Sequence, residues 1–187
     1  MLIWLWIVIA VVAIFLLMML GFFNRFAVLQ NRIDNSFSQI DVQLKKRADL
    51  VPNLMESVKG YMKHEAGIMK EVSEARKSLV NANSSKDMSK RVKAGDELQS
   101  ALGRLFAVAE NYPNLKASDN FIQFQNELAA IEDKVAYSRQ FYNDSILEFN
   151  NSCKTFPGVL FAGMFGKKAG KYLEIAAAER VVPKVKF

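Results

Sequence analysis

Side chains able to carry out chemistry are sparse in this chain. His64 is the sole histidine and Cys153 the sole cysteine among 187 residues. A Cys–His nucleophile pair would need these two brought together from distant positions, and nothing in the local sequence does so. A small, half-buried apolar residue is the plainer reading of Cys153. His64-Glu65 is followed by Ala-Gly-Ile, so the zinc pattern His-Glu-x-x-His is missing. A di-iron site in a bundle would need two Glu-x-x-His units. Gly163, Gly166 and Gly170 lack the preceding strand and the Lys-Ser/Thr ending of a phosphate loop. One cysteine excludes an intrachain disulfide and a multi-cysteine metal cluster, and it fits a reducing compartment. The expectation is a non-enzyme with no catalytic, cofactor-binding or metal residues, no cofactor and no small-molecule substrate.

Polar residues gather instead in two places. Around Pro52 stand Asp41, Lys45, Arg47, Asp49, Asn53, Glu56, Lys59, Tyr61 and Glu65. Around Asn111-Tyr-Pro-Asn114 stand Glu110, Tyr112, Lys116, Asp119 and Asn120. One reading is that they cap helices and pair charges between neighbouring helices. The other is a surface for docking partners or for self-assembly, carried by Asp41, Lys45, Arg47, Asn53, Tyr61, Glu65, Tyr112 and Asn114.

The elements that must position these residues begin with an apolar run. Met1 to Phe23 contains no charged residue and no Ser, Thr, Asn, Gln or His. At ~1.5 Å per residue it reaches roughly 35 Å, enough to cross a ~30 Å hydrocarbon layer with some tilt. A cleaved signal peptide would show a basic start, a shorter apolar stretch and small residues at its end, whereas Leu20, Phe22 and Phe23 are large. An uncleaved anchor is expected. Trp4 and Trp6, the only tryptophans, belong at the far interface, with Phe22 and Phe23 at the near end. Arg25, Arg32, Lys45, Lys46 and Arg47 all follow the span, so the positive-inside rule puts the N-terminus outside and the bulk of the chain in the cytoplasm. The net charge of +6 suits anionic headgroups; no nucleic-acid recognition motif accompanies it.

Beyond the anchor the periodicity is helical. Ile33, Phe37, Ile40, Leu44 and Ala48 form one stripe, and Val51, Met55, Val58, Met62, Ala66, Met69 and Val72 continue its phase. Pro52 interrupts it, as a tight turn or as a kink in one long helix. Asn81–Asp87 reads as a polar loop, the clear break in the first half. Met88 to Ala109 marks another helix, and Ser118 or Asp119 caps a last one with the face Phe121, Phe124, Leu128, Ile131, Val135, Tyr142 and Phe149. No strand alternation is visible, so antiparallel helices burying these stripes make a bundle. The division expected is anchor 1–23, bundle 24–155 and an apolar, then basic, segment with its tail at 156–187. In that last part PGVLFAGMFGKKAGK is too short to span a bilayer. It is either a strap across the bundle or a second membrane contact, with Phe161, Met164 and Phe165 dipping in and Lys167, Lys168 and Lys171 meeting headgroups. A short helical patch around Leu173–Arg180 and an extended tail follow.

Three blocks, IDVQLKKRADLVPNLMESVKGYMKHE (Ile40–Glu65), ENYPNLKASDNFIQFQNELAAIED (Glu110–Asp133) and SRQFYNDSILEFNN with FPG (Ser138–Gly158), closely resemble the LemA family. The likeness covers nearly everything after the anchor. Lys46-Arg47 matches the family's basic pair conservatively, and the C-terminal stretch follows the family's ending only loosely. The resemblance implies a short outside N-terminus, one membrane helix and a four-helix bundle domain, in a bacterial family without an established enzymatic activity. Related domains occur in proteins linked to magnetosome membrane formation, and members are often associated with membrane protease or stress systems.

Together these readings predict an all-α protein: a single N-terminal transmembrane helix followed by a long-helix antiparallel bundle. The function expected is that of a scaffold at the inner membrane surface, self-associating or docking other membrane proteins, its partners being the bilayer and protein rather than nucleic acid. The alternative is a membrane-remodelling or lipid-sensing protein that uses the C-terminal segment as a second contact.

Overall fold

A computed structural model describes residues 1–84 and 87–173. Among them are six helices and no strand: α1 (Leu2–Lys59), α2 (Ala66–Asn83), α3 (Met88–Ala109), the single turn α4 (Pro113–Lys116), α5 (Asp119–Lys154) and α6 (Gly158–Met164). The helical patch and tail expected beyond Leu173 lie outside the described residues. The described chain divides by its contacts into two compact units, Phe37–Arg139 and Met1–Ser36 with Gln140–Leu173.

In the unit Phe37–Arg139, four helical stretches bury one stripe each. From α1 come Ile40, Leu44, Val51, Leu54 and Val58, from α2 Val72 and Leu79, from α3 Leu98, Leu102 and Leu105, and from α5 Phe121, Leu128 and Val135, all at most 4% exposed. Each fully buried aliphatic side chain contributes about 1.5–3 kcal/mol, so this interior is the main stabilising term. Asp41 on α1 meets Arg91 on α3, and Arg47 further along meets the Gly95 carbonyl. The two helices therefore run in the same direction, with α2 and α5 antiparallel to them.

Helix α1 passes through Pro52 without a break, which resolves the open alternative in favour of one long helix. Proline has no N–H, so the Ala48 carbonyl one turn back loses its helical partner. Arg76 of α2 supplies the replacement, its Nε–H donating to the Ala48 oxygen at 2.8 Å. The chain turns instead at Gly60–Glu65, where the N–H groups of Tyr61 and Met62 both reach the Val58 carbonyl. The stripe expected to run on through Met62 into α2 is thus two helices. Its phase persists because Met62, within the turn, is still buried at 1% exposure. The Asn81–Asp87 loop is correspondingly shorter, since α2 continues to Asn83 and Asp87 caps α3 through Ser89 N and Lys90 N.

The other unit is aromatic. Phe26 packs edge-on against Phe149 and Phe165, and Phe22 stacks on Phe161 with centroids 5.0 Å apart. Gly158 makes the last approach feasible: a Cβ there would lie 2.2 Å from the Ser152 carbonyl oxygen and 3.1 Å from the Phe22 ring. After α6 the chain returns along α5, held by two asparagines. Asn150 accepts from Gly170 N–H at 2.7 Å and donates to its carbonyl at 3.0 Å; Asn143 does the same to Leu173 at 2.9 and 3.1 Å. Seven residues of helix advance about 10 Å, and three residues of extended chain cover about 10 Å, so both clamps close at once on a drawn-out segment.

Candidate functional site

The sequence-predicted partner residues separate on the structure into an interior set and an end set, both in the unit Phe37–Arg139. Arg47 is interior, with a side chain at 0% exposure. Its position three residues after Leu44 and four before Val51 sets it in the apolar stripe. Its guanidinium donates to the Gly95 carbonyl at 3.2 Å and pairs with Glu132 of α5. Burial pushes the guanidinium below its usual pKa; Glu132 opposes this, Arg139 adds to it, and Asp96 opposes it less strongly. Arg139 in turn pairs with Asp96. Arg47 therefore ties α1 to α3 and α5 from inside, and its assignment to a docking surface is corrected. Asp41, half-buried, is occupied by Arg91 at 2.6 Å, and the Arg91 guanidinium also lies over the Phe37 ring. Glu132, Arg91, Arg139 and Asp96 were absent from the sequence prediction. The stripe position of Arg47 is the one signal that calls for a buried counter-ion.

The end set lies at the two turns. The Tyr112 hydroxyl donates to Glu65 Oε1 at 3.0 Å, joining the turn after α1 to the turn after α3. That hydrogen bond, with burial and the carboxylate charge adding to it, raises the Tyr112 pKa and keeps the phenol protonated. Tyr61, at 46% exposure, His64 and Asn114 are open around this link, and Lys116 pairs with Glu110 beside it. Lys45 and Asn53 are exposed on α1 itself. The two polar clusters are thus one end surface in part: Glu65 meets Tyr112, whereas Asp41 and Arg47 serve the interior. His64 stands open to solvent with no metal-ligand cluster around it among the described residues.

In the other unit, Trp4 and Trp6 are 74% and 68% exposed along the apolar part of α1. That part is long and apolar enough to cross a membrane. Phe22 and Phe23 differ: Phe22 is partly covered by Phe161, while Phe23 is open and touches Phe165 edge-on. Phe161 is buried, Phe165 and Lys167 are half-buried, and Met164 and Lys168 are exposed. Cys153 is buried in this aromatic cluster, and burial raises its thiol pKa despite the opposing charges of Lys167 and Lys154. Thiolate reactivity falls with both burial and a raised pKa. Maleimide labelling of the folded full-length protein near neutral pH is therefore expected to run at least about tenfold slower than after denaturation. Equal rates in the two states would contradict the packing around Cys153.

Fold and site together define a helical-bundle protein with an apolar N-terminal helix and no assembled set of reactive groups among the described residues. The LemA family model matches residues 36–187. The chain belongs to the LemA family. It is similar to the protein LemA of Metamycoplasma hominis, 30% identical over 145 residues, a match covering 78% of this chain and 65% of that one. It is also similar to the magnetosome protein MamQ of Magnetospirillum gryphiswaldense, 24% identical over 173 residues, 80% of this chain and 64% of that one. The magnetosome protein MamQ 2 of Paramagnetospirillum magneticum is 24% identical over 190 residues, 89% of this chain and 70% of that one. The chain thus spans slightly less than two thirds of the length of the first two relatives.

Proposed function

We propose that this chain is a single-span protein of a bacterial inner membrane, N-terminus outside, whose cytoplasmic bundle docks protein partners or further copies of itself. The observation that carries this reading is the end surface. Two turns are locked together by Tyr112 and Glu65, and Tyr61, His64 and Asn114 stand open around the lock. A pre-organised surface with an exposed tyrosine binds at low entropic cost, because little has to be ordered on association. The apolar helix supports attachment to a bilayer, and one anchor per chain would let association multiply that attachment. None of the relatives' names carries a reaction, which favours an interaction role over catalysis.

The test is site-specific photocrosslinking of the tagged full-length protein in its native membrane. Benzoylphenylalanine at Tyr61 or Asn114 is expected to give discrete adducts, at twice the monomer mass for self-association or at another defined mass for a partner. The same probe at Val80, an exposed position on α2, serves as the control. Identical adduct patterns from all three positions, or none from Tyr61 and Asn114, would overturn the assignment of this surface.

A further inference from the structure

We infer that α6 is a second bilayer contact, inserted into the headgroup-proximal acyl chains beside the anchor, with its basic flanks at the headgroups. The inference rests on the reading that the apolar start of α1 spans the membrane. It stands on where α6 is held. Phe161 packs between Phe15 and Phe22, at 5.6 and 5.0 Å between ring centroids. Phe15 lies eight residues inside the last apolar residue, Phe23, which at 1.5 Å per residue is about 12 Å along the helix from the polar boundary. A segment gripping Phe15 cannot stay in water while Phe15 sits among acyl chains.

The rest of the segment fits that environment. With Phe161 turned inward, Phe156, Val159, Leu160 and Met164 face outward at 82%, 44%, 55% and 58% exposure. Leu160 and Met164 are spaced by four within α6, so they share one outer face, with Val159 beside it and Phe156 exposed just ahead of the helix. A helix end in an apolar layer must satisfy its own carbonyls. Here Gly166, at φ +63, closes a Schellman cap: Gly166 N–H donates to the Gly163 carbonyl and Lys167 N–H to the Ala162 carbonyl. The charges complete the pattern. From Cys153 to Leu173 the chain carries Lys154, Lys167, Lys168 and Lys171 and no acidic residue. Lys154 and Lys167 flank α6 on both sides, near enough to Cys153 for each to act on its thiol. An apolar tip on a basic base suits anionic lipid. The sequence leaves the segment as a strap across the bundle or a second membrane contact through Phe161, Met164 and Phe165. Phe161 and Phe165 pack on phenylalanines of α1, while Met164 is exposed.

Tryptophan quenching in nanodiscs tests this on the full-length protein. Wild type reports only from Trp4 and Trp6, hence on the anchor. A Trp4→Phe, Trp6→Phe, Leu160→Trp variant reports only from α6, and a parallel variant with Met164→Trp guards against a local packing fault. Lipid brominated near the headgroup end of its chains is expected to remove most of the α6 emission, lipid brominated near the chain ends less, and aqueous iodide almost none. Anionic lipid in the disc should strengthen the effect. If Trp4 and Trp6 are quenched by bromolipid while both α6 variants respond only to iodide, α6 lies in water and the inference falls with the anchor intact. Shielding from both quenchers would mean that protein, such as a second copy, covers α6, and would also overturn it. If Trp4 and Trp6 escape bromolipid as well, the spanning reading itself has failed.

Discussion

Glu132→Leu is expected to destabilise the full-length protein by about 3–5 kcal/mol in denaturant titrations followed by helical circular dichroism. The cost arises because the Arg47 side chain, at 0% exposure, keeps its charge when its carboxylate partner is removed. A guanidinium does not give up its proton readily, so the escape open to a buried lysine is closed here. Removing the cation should cost less. Arg47→Met leaves Glu132, whose side chain is 30% exposed, free to be hydrated. The double variant Arg47→Met with Glu132→Leu should return most of the stability lost in Glu132→Leu alone, since replacing a buried pair by apolar groups is often close to neutral. A Glu132→Leu protein within about 1 kcal/mol of wild type would show that the pair is not the charge balance of the interior.

The second large effect is at Pro52. Arg76→Leu should cost about 1–3 kcal/mol, the usual penalty for a buried carbonyl stripped of its donor. Pro52→Ala should act on the same carbonyl from the other side, because alanine restores the N–H that reaches Ala48 within α1. Alone it is expected to stabilise, given that an interior proline costs a helix ~3 kcal/mol. In the Pro52→Ala background the loss from Arg76→Leu should shrink by about 1 kcal/mol or more. Equal losses in both backgrounds would mean that Arg76 acts through something other than the orphaned carbonyl.

These two cases also mark how far the sequence could be read. The stripes of α1, α3 and α5 were legible because burial at helical spacing is a local property. The family resemblance was legible for the same reason, because each block that carries it is contiguous in the chain. Pro52 was recognisable as an interruption, but whether it breaks a helix depends on a donor 24 residues later, a distance over which no periodicity speaks. Arg47 was grouped with surface residues by its charge, although its spacing from Leu44 and Val51 already placed it in the core. Its partner on α5 is 85 residues away. The link between Tyr112 and Glu65 joins two clusters that sequence reasoning found separately and had no means to connect. Gly60 and the polar run after it were passed over as a turn because Met62 keeps the apolar phase while sitting in the turn.

The paired asparagines that clamp the returning chain have a consequence for heredity. Asn150 and Asn143 grip the main chain at Gly170 and Leu173, and Tyr142 reaches the Lys171 carbonyl rather than its side chain. Side-chain identity at Ala169, Lys171 and Tyr172 therefore goes largely unread by α5. Gly170 is the exception, since a Cβ there would come within 2.9 Å of Ile146. Spacing is read strictly. Gaining or losing one residue between the clamps would let one asparagine engage only by abandoning the other. As far as α5 is concerned, Gly170 apart, this stretch is constrained more in its length than in its letters.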